Sequence, residues 1–363
     1  METFKNNHDH SVIIVGAGII GLNIAYLLSS KGIPCEVFEQ QSAPLLGASK
    51  VAAGIAEFSL WNKEPSEWIS LAKDALSQHE LLQKELWDFC KINYIEWKQG
   101  IRVAKTQALK EHYLKNIPIH QNEIPDPSHH PRWLNHDVLR KSEPLLHKDQ
   151  LGGILEPRIG SVNVPLMGKA LYESAKALGA SFHFNSPVEK YISNQGMIQG
   201  VMAQGQFYPA SQVIIAAGLG TRDLDPLYPL FSIKGQVISL EVEKPLIDHV
   251  VFAPNIYLLP RKQSDHNSII IGSTSERNET PGFTLSGGVS LLTRALVLLP
   301  SIRNITWDKI EGWHGFRPRT PHRVPYIEEH PSLKNLYIAA GHGSRGILLG
   351  PITAQKILSL IIK

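Results

Sequence analysis

The first residues that could do chemistry are three glycines, in Gly16-Ala17-Gly18-Ile19-Ile20-Gly21. An apolar run of strand length, residues 11–15, precedes them. Behind them Ile20, Ile24, Leu27 and Leu28 recur at helical spacing until Gly32. In such a G-x-G-x-x-G, the first glycine permits a tight turn and the second lets the backbone approach a pyrophosphate. The third lets the helix pack close to the strand. The helix start, with Ile19 and Ile20 in its first turn, offers free N–H groups and a positive dipole end to phosphate. Glu39 and Gln40 close a second strand, residues 33–38. Glu39, 23 residues after Gly16, is placed to take hydrogen bonds from an adenosine ribose. No Arg or Lys follows it directly, which disfavours a 2′-phosphate and hence NADP.

Other constellations point nowhere. His342-Gly343-Ser344-Arg345-Gly346 lacks the first glycine of a hydrolase nucleophile elbow. His129, His130 and His136 lie in a Pro-rich stretch without a partner cluster, so no metal is expected. Two cysteines, Cys35 and Cys90, are too few for a disulfide framework and fit a reducing cytosol. With 36 basic and 33 acidic residues the net charge is +3, too weak to indicate nucleic acid. Residues 1–10 are polar, unlike a signal peptide, and no apolar run approaches the roughly 18 residues of a membrane span.

The elements that must position these residues make up a chain of 363 residues, long enough for two domains at about 150 residues each. Residues 66–89 read as one long helix, with Leu71, Ala75, Leu82, Leu86 and Phe89 on one stripe. Residues 105–150 are polar and read as a peripheral insertion. Residues 165–179 form a helix between Pro165 and Gly179. Residues 180–206 read as two or three short strands. Residues 213–217 form a buried strand ending at Gly218, and 336–340 another ending at Gly341. Between them 232–274 alternates, with 255–260 and 268–272 pairing as a hairpin, and 289–299 is helical. A simple NAD dehydrogenase completes its sheet in one stretch. A nucleotide domain assembled from the N-terminal βαβ, residues 151–225 and the C-terminal 30 or so points instead to FAD.

Several short motifs in order give the chain a resemblance to the D-amino-acid oxidase superfamily of FAD-dependent amine oxidases, most of all to the glycine oxidases of thiamine biosynthesis. It runs from about residue 11 to 362. The small-residue loop Gly47-Ala48-Ser49 with Ala52-Ala53-Gly54, running into Ile55, resembles the family's loop across the flavin. Residues 156–165, with Gly160, Val162 and Asn163, resemble the segment before the middle helix. Pro187-Val188 resembles the strand whose valine touches the adenine side of FAD. Lys234-Gly235-Gln236, residues 256–261, Gly287-Gly288-Val289, residues 313–318, Gly341-His342 and Gly346-Ile347-Leu348-Leu349 complete the set. One departure is local: the arginine before Gly346 is shifted by one place, and Gly343-Ser344-Arg345 looks more like the flavin domain of the bifunctional enzyme that matures tRNA wobble uridine.

The resemblance implies an α/β fold: a Rossmann-like FAD domain of the glutathione-reductase type, plus an inserted α+β substrate domain with a mostly antiparallel sheet. The implied division gives 10–90, 151–228 and 322–363 to FAD, and 91–150 and 229–321 to the substrate domain. It implies that Arg317 holds a substrate carboxylate with two hydrogen bonds, that Tyr257 supports the same carboxylate, and that Arg345 reaches flavin or substrate from a different angle. His342, Gly343, Ser344, Arg345, Gly346, Ile347 and Leu348 would serve flavin O2 and the ribityl chain from the helix start. The two cysteines lie outside the C-terminal third where related oxidases attach their flavin, so the FAD is expected to be noncovalent. The implied activity is a cytoplasmic oxidase deaminating glycine or another small amine, with oxygen as acceptor and peroxide as product. The alternative is an N-substituted glycine, or a carboxymethylaminomethyl group of tRNA. The tRNA version is weakened by the near-neutral charge, and self-association is left open.

Overall fold

The computed structural model describes residues 11–61, 65–262 and 266–362. Two sheets organise it. The smaller has six strands in the order Tyr326–Glu329, Leu336–Ala340, Gln212–Ile215, Val12–Val15, Cys35–Phe38, Ser181–His183. All neighbours are parallel except the Tyr326–Glu329 edge, which runs antiparallel to Leu336–Ala340. The central strands are continuous apolar runs because both their faces are covered. Val12 and Ile14 pack with the helices Ile19–Ser30, Ala75–Cys90, Val164–Ala177 and Gly346–Ile361. Ile13 and Val15 face the other way, onto a three-stranded sheet of Val188–Asn194, Met197–Ala203 and Gln206–Pro209. Three distant pieces of chain therefore build one sheet, with the apolar strands that end in glycine side by side at its centre.

The larger sheet has nine strands, mostly antiparallel. Its path runs Ile310–Arg319, Phe231–Val242, Asn267–Gly272, Ile256–Lys262, Val250–Ala253, Ile95–Ala104, Gly152–Val162, Ile55–Ala56, with Arg132–Asn135 also on Gly152–Val162. The expected hairpin is present as the pair Ile256–Lys262 and Asn267–Gly272. Helix Leu285–Leu298 covers one face through Leu291, Ala295 and Leu298.

The single helix expected over 66–89 is two helices, Ser66–Ala72 and Ala75–Cys90, broken at Lys73-Asp74. Apolar periodicity runs through the break because Leu71, Ala72 and Ala75 are all buried in one core, so periodicity alone cannot register it. The polar stretch 105–150 contains its own helix, Gln107–Glu123, capped by the Thr106 hydroxyl. The strand Gly152–Val162, expected on the nucleotide side, runs in the large sheet. Among the described residues no helix is long and apolar enough to cross a membrane.

Candidate active site

Two adjoining cavities lie between the sheets. The larger, about 590 Å³, opens over the ends of the parallel strands. The glycine turn shapes it. Gly16 has φ +106°, a conformation that favours glycine. A Cβ on Gly21 would lie 1.9 Å from the Gly16 carbonyl oxygen, so the helix can sit this close to the turn only with glycine there. The Ile19 amide donates to the Ser49 hydroxyl at 3.0 Å, tying the helix start to the small-residue loop. Glu39 accepts from the Ala17 amide at 2.7 Å and from the Gln41 amide at 2.9 Å. Its carboxylate thus braces the turn while lining the cavity. Gly16, Gly18, Ile19, Ile20, Gln40, Ala48, Val188, Gly218 and His342 line the same space. Gly21 shapes the wall without lining it.

The second cavity, about 390 Å³, continues over the large sheet. Ala53, Gly54, Ile55, Tyr257, Arg317, Gly343, Ser344, Arg345, Gly346, Ile347 and Leu348 line it, and Ile19, Ala48 and Ser49 are shared with the first. Helix Gly346–Ile361 starts here without a side-chain cap, so the positive end of its dipole faces the cavity. That start is held from behind. His79 Nε2 lies 2.9 Å from the Ile347 carbonyl oxygen, and burial pushes this imidazole down to about 4, so it is neutral at physiological pH.

Two glycines make room for the two polar side chains on the sheet. Arg317 lies over Gly235, where a Cβ would meet the guanidinium at 2.1 Å. Tyr257 lies over Gly272, where a Cβ would meet the hydroxyl at 2.2 Å. Arg317 donates to the Thr274 carbonyl at 3.2 Å and the Ser273 hydroxyl at 2.8 Å. These are neutral acceptors, and no described carboxylate is paired with it. Burial lowers its pKa from the ordinary value, yet guanidinium remains charged. Burial raises the Tyr257 phenol to about 12 against the opposing pull of Arg317 and Arg261, so it keeps its proton and can donate.

The chain matches the FAD dependent oxidoreductase family, DAO, over residues 11–360. It belongs to that family. It is 29% identical to the glycine oxidase of Geobacillus kaustophilus, covering 98% of this chain and 93% of that one. It is 30% identical to the bifunctional protein ThiO/ThiG of Nostoc sp., across 97% of this chain and 52% of the relative. The chain thus spans about half the length of the bifunctional relatives it matches. The crystal structure of glycine oxidase from Bacillus cereus superposes with a TM-score of 0.88 at 27% identity, covering 97% and 95% of the two chains.

The residues present fit FAD. The glycine cradle keeps side chains from where a pyrophosphate would lie, a helix start faces each cavity, and Glu39 on the wall of the first would hold a ribose. Cys35 and Cys90 are free thiols and neither lines a cavity. His342, which lines the first cavity, also packs structurally: its Nε2 is 3.0 Å from the Thr353 hydroxyl, and burial lowers it to about 3. Arg345 lies with its guanidinium 4.1 Å from the centre of the Trp68 ring.

Sequence reasoning missed the other end of the second cavity. Glu57, Arg102, Phe252 and Trp68 line it. Cross-strand register sets Gly272, Tyr257, Phe252 and Arg102 side by side on four adjacent strands. Arg102 packs on the Phe252 ring at 4.2 Å, pairs with Glu57, and meets Glu156 at 3.0 Å. Glu156 in turn accepts from the Trp61 indole at 2.7 Å. Only tertiary pairing brings Glu57, Arg102 and Glu156 together, so no local signal could have found them. Burial pushes the Glu57 carboxyl up to about 7, with Arg102 pulling the other way and Glu156 adding to the rise.

That shift predicts a pH effect on stability. The folded chain holds a proton on Glu57 that the unfolded chain releases above its ordinary value of 4.5. The resulting stabilisation is complete below that value and is lost as pH rises through about 7. Thermal unfolding of Glu57→Gln should therefore decline less than wild type between the two. Parallel curves would show that this carboxyl titrates normally.

Proposed function

We propose that the chain oxidises a small carboxylated amine, glycine or a near relative, to an imine that hydrolyses to an oxo acid and ammonia. One observation carries the reading. Arg317 presents a half-buried guanidinium to the cavity, held only by neutral acceptors, beside the protonated Tyr257 hydroxyl. A planar fork with an uncommitted edge, next to a second donor, is complementary to a carboxylate. The names borne by relatives at 27–30% identity over nearly the whole chain support the same substrate class.

Arg317 and Tyr257 fix the carboxylate, and thereby orient the α-carbon over the junction between the cavities. Val237, Phe252 and Ile55 on the wall exclude water. FAD supplies the two-electron acceptor, with oxygen as its reoxidant and hydrogen peroxide as the product. No side-chain base is needed once the amine is neutral: its α-hydrogen leaves as hydride and the nitrogen lone pair forms the C=N bond. In the division this reading uses, residues 10–90, 163–228 and 322–363 hold the cofactor, and 91–150 and 229–321, joined by the strand Gly152–Val162, cover the substrate. A cytoplasmic location accompanies it.

The test is anaerobic mixing of the FAD-loaded protein with glycine, sarcosine and D-alanine. Bleaching of the flavin absorbance by at least one, followed by peroxide when oxygen is admitted, is the expected outcome. No bleaching by any of them would refute the reading.

A further inference from the structure

The loop 47–55 runs between the two cavities: Ala48, Ser49 and Val51 line both, and Ala53 and Gly54 line the second. The large sheet holds this loop at two carbonyls. The Trp313 indole donates to the Val51 carbonyl at 3.0 Å, beside Gly315, where a Cβ would meet the Val51 side chain at 2.0 Å. Two residues on, Arg261 reaches in from the strand Ile256–Lys262. One terminal nitrogen of its guanidinium donates both to the Ala53 carbonyl and to the Val162 carbonyl, the latter at 2.8 Å. Gly54 fits between them. It has φ +77°, and its carbonyl accepts from the Val162 amide at 2.7 Å. A Cβ on it would stand 2.0 Å from the Val162 carbonyl oxygen and 2.7 Å from the guanidinium. The loop then enters Ile55–Ala56, which pairs with Gly160-Ser161. Arg261 is thereby shut behind the wall: it lines neither cavity, and burial lowers its pKa from the ordinary value without discharging it.

The Ala53–Gly54 peptide is trans, and a trans peptide directs its C=O and N–H to opposite sides. With the Ala53 carbonyl turned back onto Arg261, the Gly54 N–H of the same peptide is turned forward, to the second cavity. A cation on the carbonyl also strengthens that N–H as a donor, because bonded dipoles polarise one another. We propose that Arg261 is a positioning residue for FAD: it fixes the Ala53–Gly54 peptide so that its N–H is offered to the electron-accepting ring, and its enclosed charge favours the reduced ring over the oxidised one. The inference goes beyond the oxidation proposed above and holds whichever amine is the substrate.

The reduction potential of the bound flavin tests it without any amine, read against a reference dye during slow anaerobic reduction of the FAD-loaded full chain. In Arg261→Gln the equilibrium should move at least about tenfold toward the oxidised flavin, a potential about 30 mV more negative for two electrons. Arg261→Lys keeps a charge but cannot span both carbonyls, so it should move about threefold. Trp313→Phe is the control, since it frees the same loop at Val51 and removes no charge. FAD titration should show weaker binding in Trp313→Phe, with a reduction equilibrium within about twofold of wild type. A wild-type potential in Arg261→Gln would overturn the proposal. So would an equal shift in Trp313→Phe, which would make Arg261 only one more tie on the loop. Where Arg261→Gln does not retain FAD, Arg261→Lys decides, and a wild-type potential there overturns the proposal. Failure of the amine-oxidase reading would show separately, as a flavin that no amine bleaches although its potential shifts as expected.

Discussion

Arg317→Met should lower kcat/KM for a carboxylated amine by about two to four orders of magnitude, mostly through KM. Each charged hydrogen bond contributes about 1.5–3 kcal/mol, and the fork makes two, while about 1.4 kcal/mol corresponds to a factor of ten. The effect is large because the site is already desolvated: Arg317 lies against Gly235, and its structural acceptors, Thr274 and Ser273, are neutral and use only part of the fork. Arg317→Lys keeps the charge but not the planar fork, so it should recover only part of the loss. Peroxide formation and anaerobic flavin bleaching over a substrate titration give KM and kcat separately. FAD content of the purified variant separates this loss from loss of cofactor. An unchanged KM would remove Arg317 from the substrate site.

Gly21→Ala should yield a protein that binds FAD at least about 100-fold more weakly and unfolds more easily, by about 1–3 kcal/mol. The new Cβ would stand 1.9 Å from the Gly16 carbonyl oxygen and 3.0 Å from its carbon. Neither is the end of a flexible side chain, so relief comes only by moving the helix off the turn. That movement shifts the Ile19 amide from the Ser49 hydroxyl and spreads the cradle on which the pyrophosphate depends. The flavin absorbance of the purified protein and an FAD titration of the apoprotein read the outcome. A variant that purifies with full flavin and wild-type affinity would show that the close approach is dispensable.

The cofactor half of the site was legible for a physical reason. Gly16, Gly18, Gly21 and Glu39 belong to one strand-turn-helix-strand unit, so their spacing in sequence fixes their arrangement in space. The apolar strands ending at Gly218 and Gly341 are legible in the same way, and they do lie next to Val12–Val15 in the sheet. Arg317, Tyr257 and Arg345 came from resemblance, and all three line the second cavity. Their partners did not follow. Gly272 beneath Tyr257 and Ser273 beside Arg317 belong to a strand end some 15 and 44 residues from them, and only pairing brings them together.

The sequence by itself determined the glycine turn between strand and helix, the apolar strands that end in glycine and the strand-rich stretch between them, because each is written in local periodicity and punctuated by glycine. Tertiary structure alone decided the break at Lys73-Asp74, the Glu57–Arg102–Glu156 cluster at the far end of the second cavity, and the meeting of Arg261 with the Ala53 and Val162 carbonyls. Those depend on which strands pair and in what register, and register is set by the summed burial of whole sheet faces, which no short window of sequence contains.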